Sequence, residues 1–198
     1  MSRAILAVLG VLLVLVIAVF AWGVEVSNEL VTREQAVNEK WAQVQNVYQR
    51  RADLVPNLVE TVKGFAAQER TVLEEVTRAR ASVTSLQVTP EVLNDPQALR
   101  KFQEAQAQLG GALSRLLVTV ERYPELKSNQ NFLALQSQLE GTENRIAVER
   151  MRFSEAVRDY NTAIKRFPGS LVASSRGFRE KAYFEAAPGS QTAPKVQF

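Results

Sequence analysis

The N-terminal segment restricts the fold of this chain more than any other feature. Met1, Ser2 and Arg3 are followed by an uncharged and strongly apolar run, Ala4–Val24. A helix rises 1.5 Å per residue, so about 20 such residues span the roughly 30 Å hydrocarbon core of a bilayer. The sequence therefore predicts a transmembrane anchor over residues 4–24, behind a short tail of residues 1–3.

A cleaved signal peptide is the alternative interpretation of this run. Val19-Phe20-Ala21 would be a weak cleavage site, but the run is longer than the usual apolar region of a signal peptide, and bulky Trp22 follows. A tryptophan at this place is typical of a membrane interface. We therefore predict a retained, single-pass anchor.

The charges around the anchor predict its orientation. Arg3 and the terminal amine precede the span, whereas Glu25 and Glu29 follow it. The positive-inside rule then keeps the short N-terminus in the cytoplasm and exports the rest of the chain. This places the soluble domain on the periplasmic side of the inner membrane.

Three apolar stripes after the anchor predict an all-α fold. Apolar residues recur at steps of three and four, as in a heptad repeat, over Trp41–Val83, Leu99–Tyr123 and Phe132–Phe167. Narrow stripes of this kind are typical of long helices with coiled-coil-like packing. We predict an antiparallel bundle of three to four long helices over residues 25–187, followed by a disordered Pro/Gly/Ser/Gln-rich tail over residues 188–198.

Proline-containing breaks separate the three predicted helices. Thr89-Pro90 and Asp95-Pro96 each place a capping residue before a proline, so a loop over about residues 85–95 joins the first helix to the second. Tyr123-Pro124 ends the second helix because the residue before proline avoids the α conformation. Phe167-Pro168-Gly169 ends the third helix.

The first helix carries a proline in its middle, within the segment YQRRADLVPNLVETVKG. Pro56 removes one backbone hydrogen bond and crowds the carbonyl of Ala52, at a cost of about 3 kcal/mol in a helix interior. Either the helix is continuous and kinked at Pro56, or it breaks at Asp53, which caps a new helix. The stripe keeps its phase, which favours the kink. Arg50, Arg51 and Asp53 are candidates to satisfy the freed carbonyls.

Three long segments of the chain are distinctive: YQRRADLVPNLVETVKGFAAQE, VERYPELKSNQNFLALQSQLEGTENRI and YNTAIKRFPGSLVASSRGFREKAYFEA. Together they resemble the LemA family of bacterial membrane proteins, over about residues 25–187. The resemblance implies one N-terminal transmembrane helix, an antiparallel helical bundle and no established enzymatic activity. One branch of the family resembles proteins needed for building magnetosome membranes. The resemblance also implies a short N-terminus outside the cell, opposite to the prediction from charge.

The most polar part of the third helix, Leu139–Ile146, is the candidate site. Glu140 and Glu143 share a face, and paired carboxylates can bind a metal ion or transfer protons. Di-iron bundles combine such glutamates with histidine, however, and this chain has neither histidine nor cysteine. We expect no catalytic residue, metal or cofactor here. We expect instead a structural polar layer that fixes the helix register. The alternatives are a surface that binds a partner and an oxygen-only Ca²⁺ or Mg²⁺ site. The candidate members of the layer are Arg51, Asp53, Glu69, Glu140, Glu143, Asn144 and Arg145.

Arg51 and Glu69 are the charged positions within the first apolar stripe. A buried charge needs a partner, and the two residues lie too far apart on one helix to meet. We expect partners from the second or third helix, with Arg145 and Glu149 as candidates. The alternative is that both side chains lie at the edge of the seam in water.

Two further segments have structural interpretations. Gly110-Gly111 lacks the preceding strand and following lysine of a phosphate loop, and it predicts close backbone approach within the second helix. Arg176–Phe184 mixes basic and aromatic residues, which predicts a terminal strap whose Phe178, Tyr183 and Phe184 pack onto the bundle. Contact with anionic lipid or a partner is the alternative for this segment.

The sequence thus predicts a structural or interaction protein and not an enzyme. The anchor, through residues 4–24 in membrane lipid, would display a bundle that forms homo-oligomers or organises a membrane-protein partner. Nucleic acid is not an expected partner, because the net charge of +3 is small and both signs alternate along the chain. A sensing adaptor for an envelope protease or signalling system, and a hydrolase using carboxylates of the third helix, are the alternative functions.

Overall fold

The fold is all-α in a computed structural model that describes residues 3–86 and 89–185. Over these residues the chain forms six α-helices and one 3-10 helix and no strand, which confirms the predicted bundle of long helices. The predicted disordered tail over residues 188–198 lies outside the described residues. The helices are α1 Arg3–Phe65, α2 Arg70–Ser85, the 3-10 helix Pro90–Asn94, α3 Pro96–Val120, α4 Pro124–Lys127, α5 Gln130–Lys165 and α6 Gly169–Arg176.

Helix α1 contains both the apolar N-terminal run and the first helix of the bundle. Its 63 residues correspond to a length of about 95 Å at 1.5 Å per residue. The run is long and apolar enough to cross a membrane, and its side chains are exposed, Phe20 to 73%. The predicted anchor therefore continues without interruption into the bundle.

The first bundle helix is shorter than the sequence predicts. We expected one helix over Trp41–Val83, but α1 ends at Phe65 and α2 turns back to pack antiparallel against it, so this prediction is wrong. The Ala66 amide donates to the Val62 carbonyl at 2.8 Å, and Ala66 is fully buried. Buried Ala66 continues the spacing of three and four residues between Val62 and the apolar residues of α2. The periodicity of the sequence therefore gives no sign of the turn.

The four long helices alternate in direction. Helix α5 packs along α1, and α2 packs against both α1 and α3. Buried apolar side chains form two clusters along the bundle. The distal core, far from the apolar N-terminal run, joins α1 from Val55 onwards to α2, α3 and the first part of α5. The proximal core joins α1 over Leu30–Tyr48 to the start of α3, the second part of α5 and α6.

The 3-10 helix and an extended C-terminal strap, residues 178–185, complete the proximal core beside the start of α3. The Ala182 amide donates to the Leu93 carbonyl at 2.8 Å. The Phe184 ring lies 5.3 Å from that of Phe153. Phe178 and Phe184 are partly buried, as predicted for a strap, whereas Tyr183 is 45% exposed, so its predicted packing is wrong.

The breaks before and after α3 and after α5 lie where the prolines predict them. The Asp95 side chain accepts a hydrogen bond from the Gln97 amide at the start of α3, and Pro96 occupies the first turn. After α5 the chain turns sharply at Gly169, where an added Cβ would lie 2.1 Å from the Ala163 carbonyl oxygen. This position therefore requires glycine, and it fixes α6 against the end of α5.

Candidate functional site

A buried arginine lies at the boundary between the two cores. Arg51 is 3% exposed, with Tyr48 of the proximal core on one side and Val55 of the distal core on the other. A charge at this depth is costly unless it is paired and hydrogen-bonded. The alternative of a solvated Arg51 at the edge of the seam is therefore wrong.

The partners of Arg51 come from α3 and α5. Its Nη1 donates to Glu143 Oε1 at 2.9 Å, and its Nη2 donates to the Gln106 carbonyl at 2.9 Å and to Gln106 Oε1. The guanidinium also lies 5.2 Å from the centre of the Tyr48 ring, where burial raises the pKa of the phenol. Arg51 thus connects three helices through charge-assisted hydrogen bonds and a ring contact.

Gln106 is a site residue that the sequence reasoning missed. It is 4% exposed and lies between Phe102 and Leu109 of the α3 stripe, at the same spacing of three and four residues. A polar residue at a stripe position was the available signal. Gln106 is uncharged, so its burial does not demand a charged partner, and the sequence offers no second reason to single it out.

A second arginine replaces the hydrogen bond that Pro56 removes. In a regular helix the amide of residue 56 would donate to the Ala52 carbonyl, and here Arg80 Nε of α2 donates to that carbonyl at 2.9 Å. The prediction that Arg50, Arg51 or Asp53 satisfies it is wrong. α1 continues through Pro56, so it does not break at Asp53, and a bend at Pro56 stays a prediction.

The other residues predicted for the polar layer lie apart from Arg51. Asp53 accepts a bond from Gln49 at 2.7 Å on the surface of α1, and Glu140 accepts one from Gln136 at 3.0 Å. Asn144 and Arg145 are exposed on α5.

Glu69 lies at the distal end of the bundle. It accepts hydrogen bonds from Arg122 at 3.0 Å and from the Tyr123 hydroxyl at 2.7 Å. The bond to Glu69 raises the pKa of Tyr123. Arg145 and Glu149 are therefore not the partners of Arg51 and Glu69, although the partners do come from the second and third predicted helices. Glu149 pairs with Arg152 at 2.7 Å.

The glycine pair on α3 faces arginine side chains and not a neighbouring backbone. An added Cβ at Gly110 would lie 3.7 Å from Arg51 Nη1, and one at Gly111 would lie 3.8 Å from Arg115 Nη1. These are ordinary contact distances. The predicted close backbone approach at Gly110-Gly111 is therefore wrong.

A second buried cation holds the C-terminal strap. Lys181 is 7% exposed, and its Nζ lies 2.7 Å from Glu34 Oε1 and donates to Asn94 Oδ1 at 2.9 Å. The Asn161 side chain bonds both the amide and the carbonyl of Lys181, each at 2.9 Å. Burial raises the pKa of the adjacent Tyr160 to about 12, and Glu34 adds to the shift. No sequence signal distinguished Lys181 from the other basic residues of the strap.

Both clusters join separate elements of the bundle. Each buried cation has a carboxylate partner and amide or carbonyl acceptors, an arrangement that holds elements together. Within residues 3–86 and 89–185, no three carboxylates come close enough together to hold a metal ion. The arrangement fixes the geometry of the three helices and of the strap.

This chain is similar to known bacterial proteins and matches one family model. Three curated relatives are named as magnetosome proteins: MamQ of Magnetospirillum gryphiswaldense, and MamQ 1 and MamQ 2 of Paramagnetospirillum magneticum. Each is 26% identical over 181 residues, which covers 83% of this chain and 66%, just under two thirds, of the relative. The apolar run of α1 and these relatives indicate a membrane-associated protein. The LemA family model matches residues 40–198, most of the chain, and the chain therefore belongs to the LemA family.

Proposed function

We propose that this chain is a membrane-anchored structural protein that presents its bundle for self-association or for organising a membrane-protein partner. The continuity of α1 carries the proposal. Residues 25–65 extend the apolar run as the same helix by about 60 Å, without a flexible linker. A bundle built on such a helix has a fixed position relative to the anchor, as a scaffold needs, whereas a tethered soluble enzyme does not need it.

The relatives support a role in membrane organisation. Their names assign them to the magnetosome, and neither they nor the LemA family are known as enzymes. The buried clusters around Arg51 and Lys181 also support the proposal, because both join separate elements of the bundle through paired charges.

Photo-cross-linking of the full-length protein in native membranes tests this function. A photoreactive residue at Val118, which is 71% exposed near the distal end of α3, should give discrete adducts with a second copy or with a membrane protein. The same probe at Val14 in the apolar run is the matched control and should label lipid. The absence of discrete protein adducts, together with a monomer in single-molecule photobleaching, would overturn the proposal.

The bundle is proposed to lie on the periplasmic side of the inner membrane, on the basis of the positive charge of Arg3 and the terminal amine before the span. Because the chain has no native cysteine, a single cysteine at exposed Thr71 reports the side directly. It should react with a membrane-impermeant thiol reagent in intact spheroplasts. Reaction only after lysis would place the bundle in the cytoplasm.

A further inference from the structure

The turn after α5 lies against α1 where the apolar run ends. The Phe167 ring lies 6.3 Å from the ring of Trp22. An added Cβ on Gly169 would lie 3.8 Å from Leu30 Cδ2, so the backbone of the turn also approaches α1 closely. The turn therefore lies beside α1 between Trp22 and Leu30, where the predicted span ends at Val24 and the bundle begins.

Helix α6 packs beside the same part of α1, just after the predicted span. Arg176 Nη1 donates to Ser27 Oγ, and Gly169 and Ala173 are buried on the side of α6 that faces the bundle. Ser27 follows Val24 by three residues, a rise of about 4.5 Å along the helix. The headgroup region adds roughly 5–7 Å on each side of the hydrocarbon core, so Ser27, which Arg176 contacts, lies at headgroup depth if the span ends at Val24.

The outer side of this corner is apolar. Phe167, whose ring lies next to that of Trp22, is 74% exposed, and Trp22 is 43% exposed. Leu171, whose amide donates to the Pro168 carbonyl in the same turn, is 60% exposed. Large apolar side chains grouped beside an interfacial tryptophan are costly in water and favourable in the interface of a membrane. The apolar side of the corner is continuous with the apolar surface of the anchor.

The charges around the corner complement an anionic surface. Arg166 is exposed in the groove that Val26 and Phe167 also line, and it forms no ion pair with any described residue. The acidic neighbours are neutralised: Glu29 pairs with Arg33 at 2.6 Å, and Asp159 pairs with Arg158 at 3.2 Å. An unpaired cation at headgroup depth favours contact with lipid phosphates.

We infer that this juxtamembrane corner, residues 166–171, rests in the headgroup region of the membrane that α1 spans. The inference rests on the membrane anchor of the proposed function. A second contact with the same bilayer, beside the span, fixes the tilt of the bundle about the anchor. The corner thus turns a single-pass helix into a two-point attachment.

Spin-label accessibility in the full-length protein tests the inference. The protein is reconstituted in vesicles of phosphatidylethanolamine and phosphatidylglycerol, with a nitroxide on a cysteine at Leu171 or Leu133. Leu133 is the matched control, a 47% exposed leucine at the opposite end of α5. The label at Leu171 should collide several-fold less often with a water-soluble nickel chelate than the label at Leu133, and more often with oxygen.

Three results would overturn the inference in distinguishable ways. Equal nickel accessibility at Leu171 and Leu133 would place the corner in water, and a label at Val14 that still reports lipid would leave the anchor intact. A Leu171 label shielded from both nickel and oxygen would show that a second protein surface covers the corner. A Val14 label in water would remove the anchor itself, and the proposed function with it.

Discussion

Pro56 and Arg80 are predicted to be energetically coupled, although they lie on different helices. Pro56 has no amide to donate to the Ala52 carbonyl, and Arg80 Nε donates to it from α2 at 2.9 Å. Ala52 is 1% exposed, so water does not replace a lost donor there. The substitution Arg80→Ala therefore leaves a buried carbonyl without the partner that compensates for the proline.

The magnitude of the coupling follows from the cost of that unpaired group. A hydrogen bond from a charged donor contributes about 1.5–3 kcal/mol, and Arg80→Ala should lower the free energy of unfolding by about this amount. In a Pro56→Ala background the new amide at position 56 donates to Ala52, so the same substitution should cost only about 0–1 kcal/mol. The coupling energy is then about 1–2 kcal/mol. Pro56→Ala alone should not destabilise the protein, because proline in a helix interior costs about 3 kcal/mol relative to alanine.

Denaturant unfolding of the full-length protein in detergent micelles measures all four variants of the cycle. Fluorescence of Trp41, which is 1% exposed in the proximal core, reports the bundle. Arg78→Ala is the matched control, because Arg78 is an exposed arginine on the same helix, and it should change stability by less than about 0.5 kcal/mol. An equal cost of Arg80→Ala in both backgrounds would show that Arg80 does not substitute for the missing amide.

Three further predictions concern other parts of the molecule. Arg51→Ala should lower the free energy of unfolding by about 2–4 kcal/mol. This is less than the roughly 3–5 kcal/mol of a fully buried pair, because Glu143 is 44% exposed and can be hydrated. A loss under about 1 kcal/mol, measured by thermal unfolding, would contradict the pairing. The pKa of Tyr160 is raised from 10.0 to about 12, so its contribution to stability is complete below about pH 10 and is lost as the pH rises to about 12. The free energy of unfolding of the unchanged protein should therefore fall more steeply with pH across this window than that of the Tyr160→Phe variant. Identical slopes would argue against a buried phenol. The full chain should resist carbonate extraction while a chain that starts near Ser27 is soluble and helical; full-length protein found in the soluble fraction and cleaved near Ala21 would contradict a retained anchor.

The sequence predicts the long helices well where periodicity and proline agree. The stripe over Leu99–Tyr123 corresponds to α3, Pro96–Val120, because Pro96 starts the helix and Pro124 follows its end. The turn at residues 66–69 was missed because it contains no proline or glycine, and the apolar stripe passes through it in phase. Only the packing of α2 back onto α1 specifies that turn.

The candidate site was predicted in part. A charge in an apolar stripe identifies Arg51 as a residue that needs a partner, and the stripe correctly assigns that partner to other helices. The identity of the partner depends on the relative register of two helices, and each turn of α5 offers a different side chain. Nothing in the sequence identified Arg80 as a site residue. Its bond to Ala52 forms because α2 packs back onto α1, and the periodicity does not predict that turn.

This dependence on register also explains what a buried charge contributes to such a bundle. The apolar stripes of α1 and α5 repeat every three to four residues, so a slip of one turn would still bring apolar residues together. A slip of four residues along α5 would replace Glu143 opposite Arg51 by Leu139 or Ala147, and one of seven residues would place Arg150 there in one direction. A buried arginine facing an apolar or like-charged side chain costs several kcal/mol, whereas the observed register gives its two terminal nitrogens Glu143 and Gln106 as partners. We therefore propose that the Arg51 cluster contributes more to the uniqueness of the helix register than to the total stability, and that it holds the bundle in one alignment with the membrane helix from which it extends.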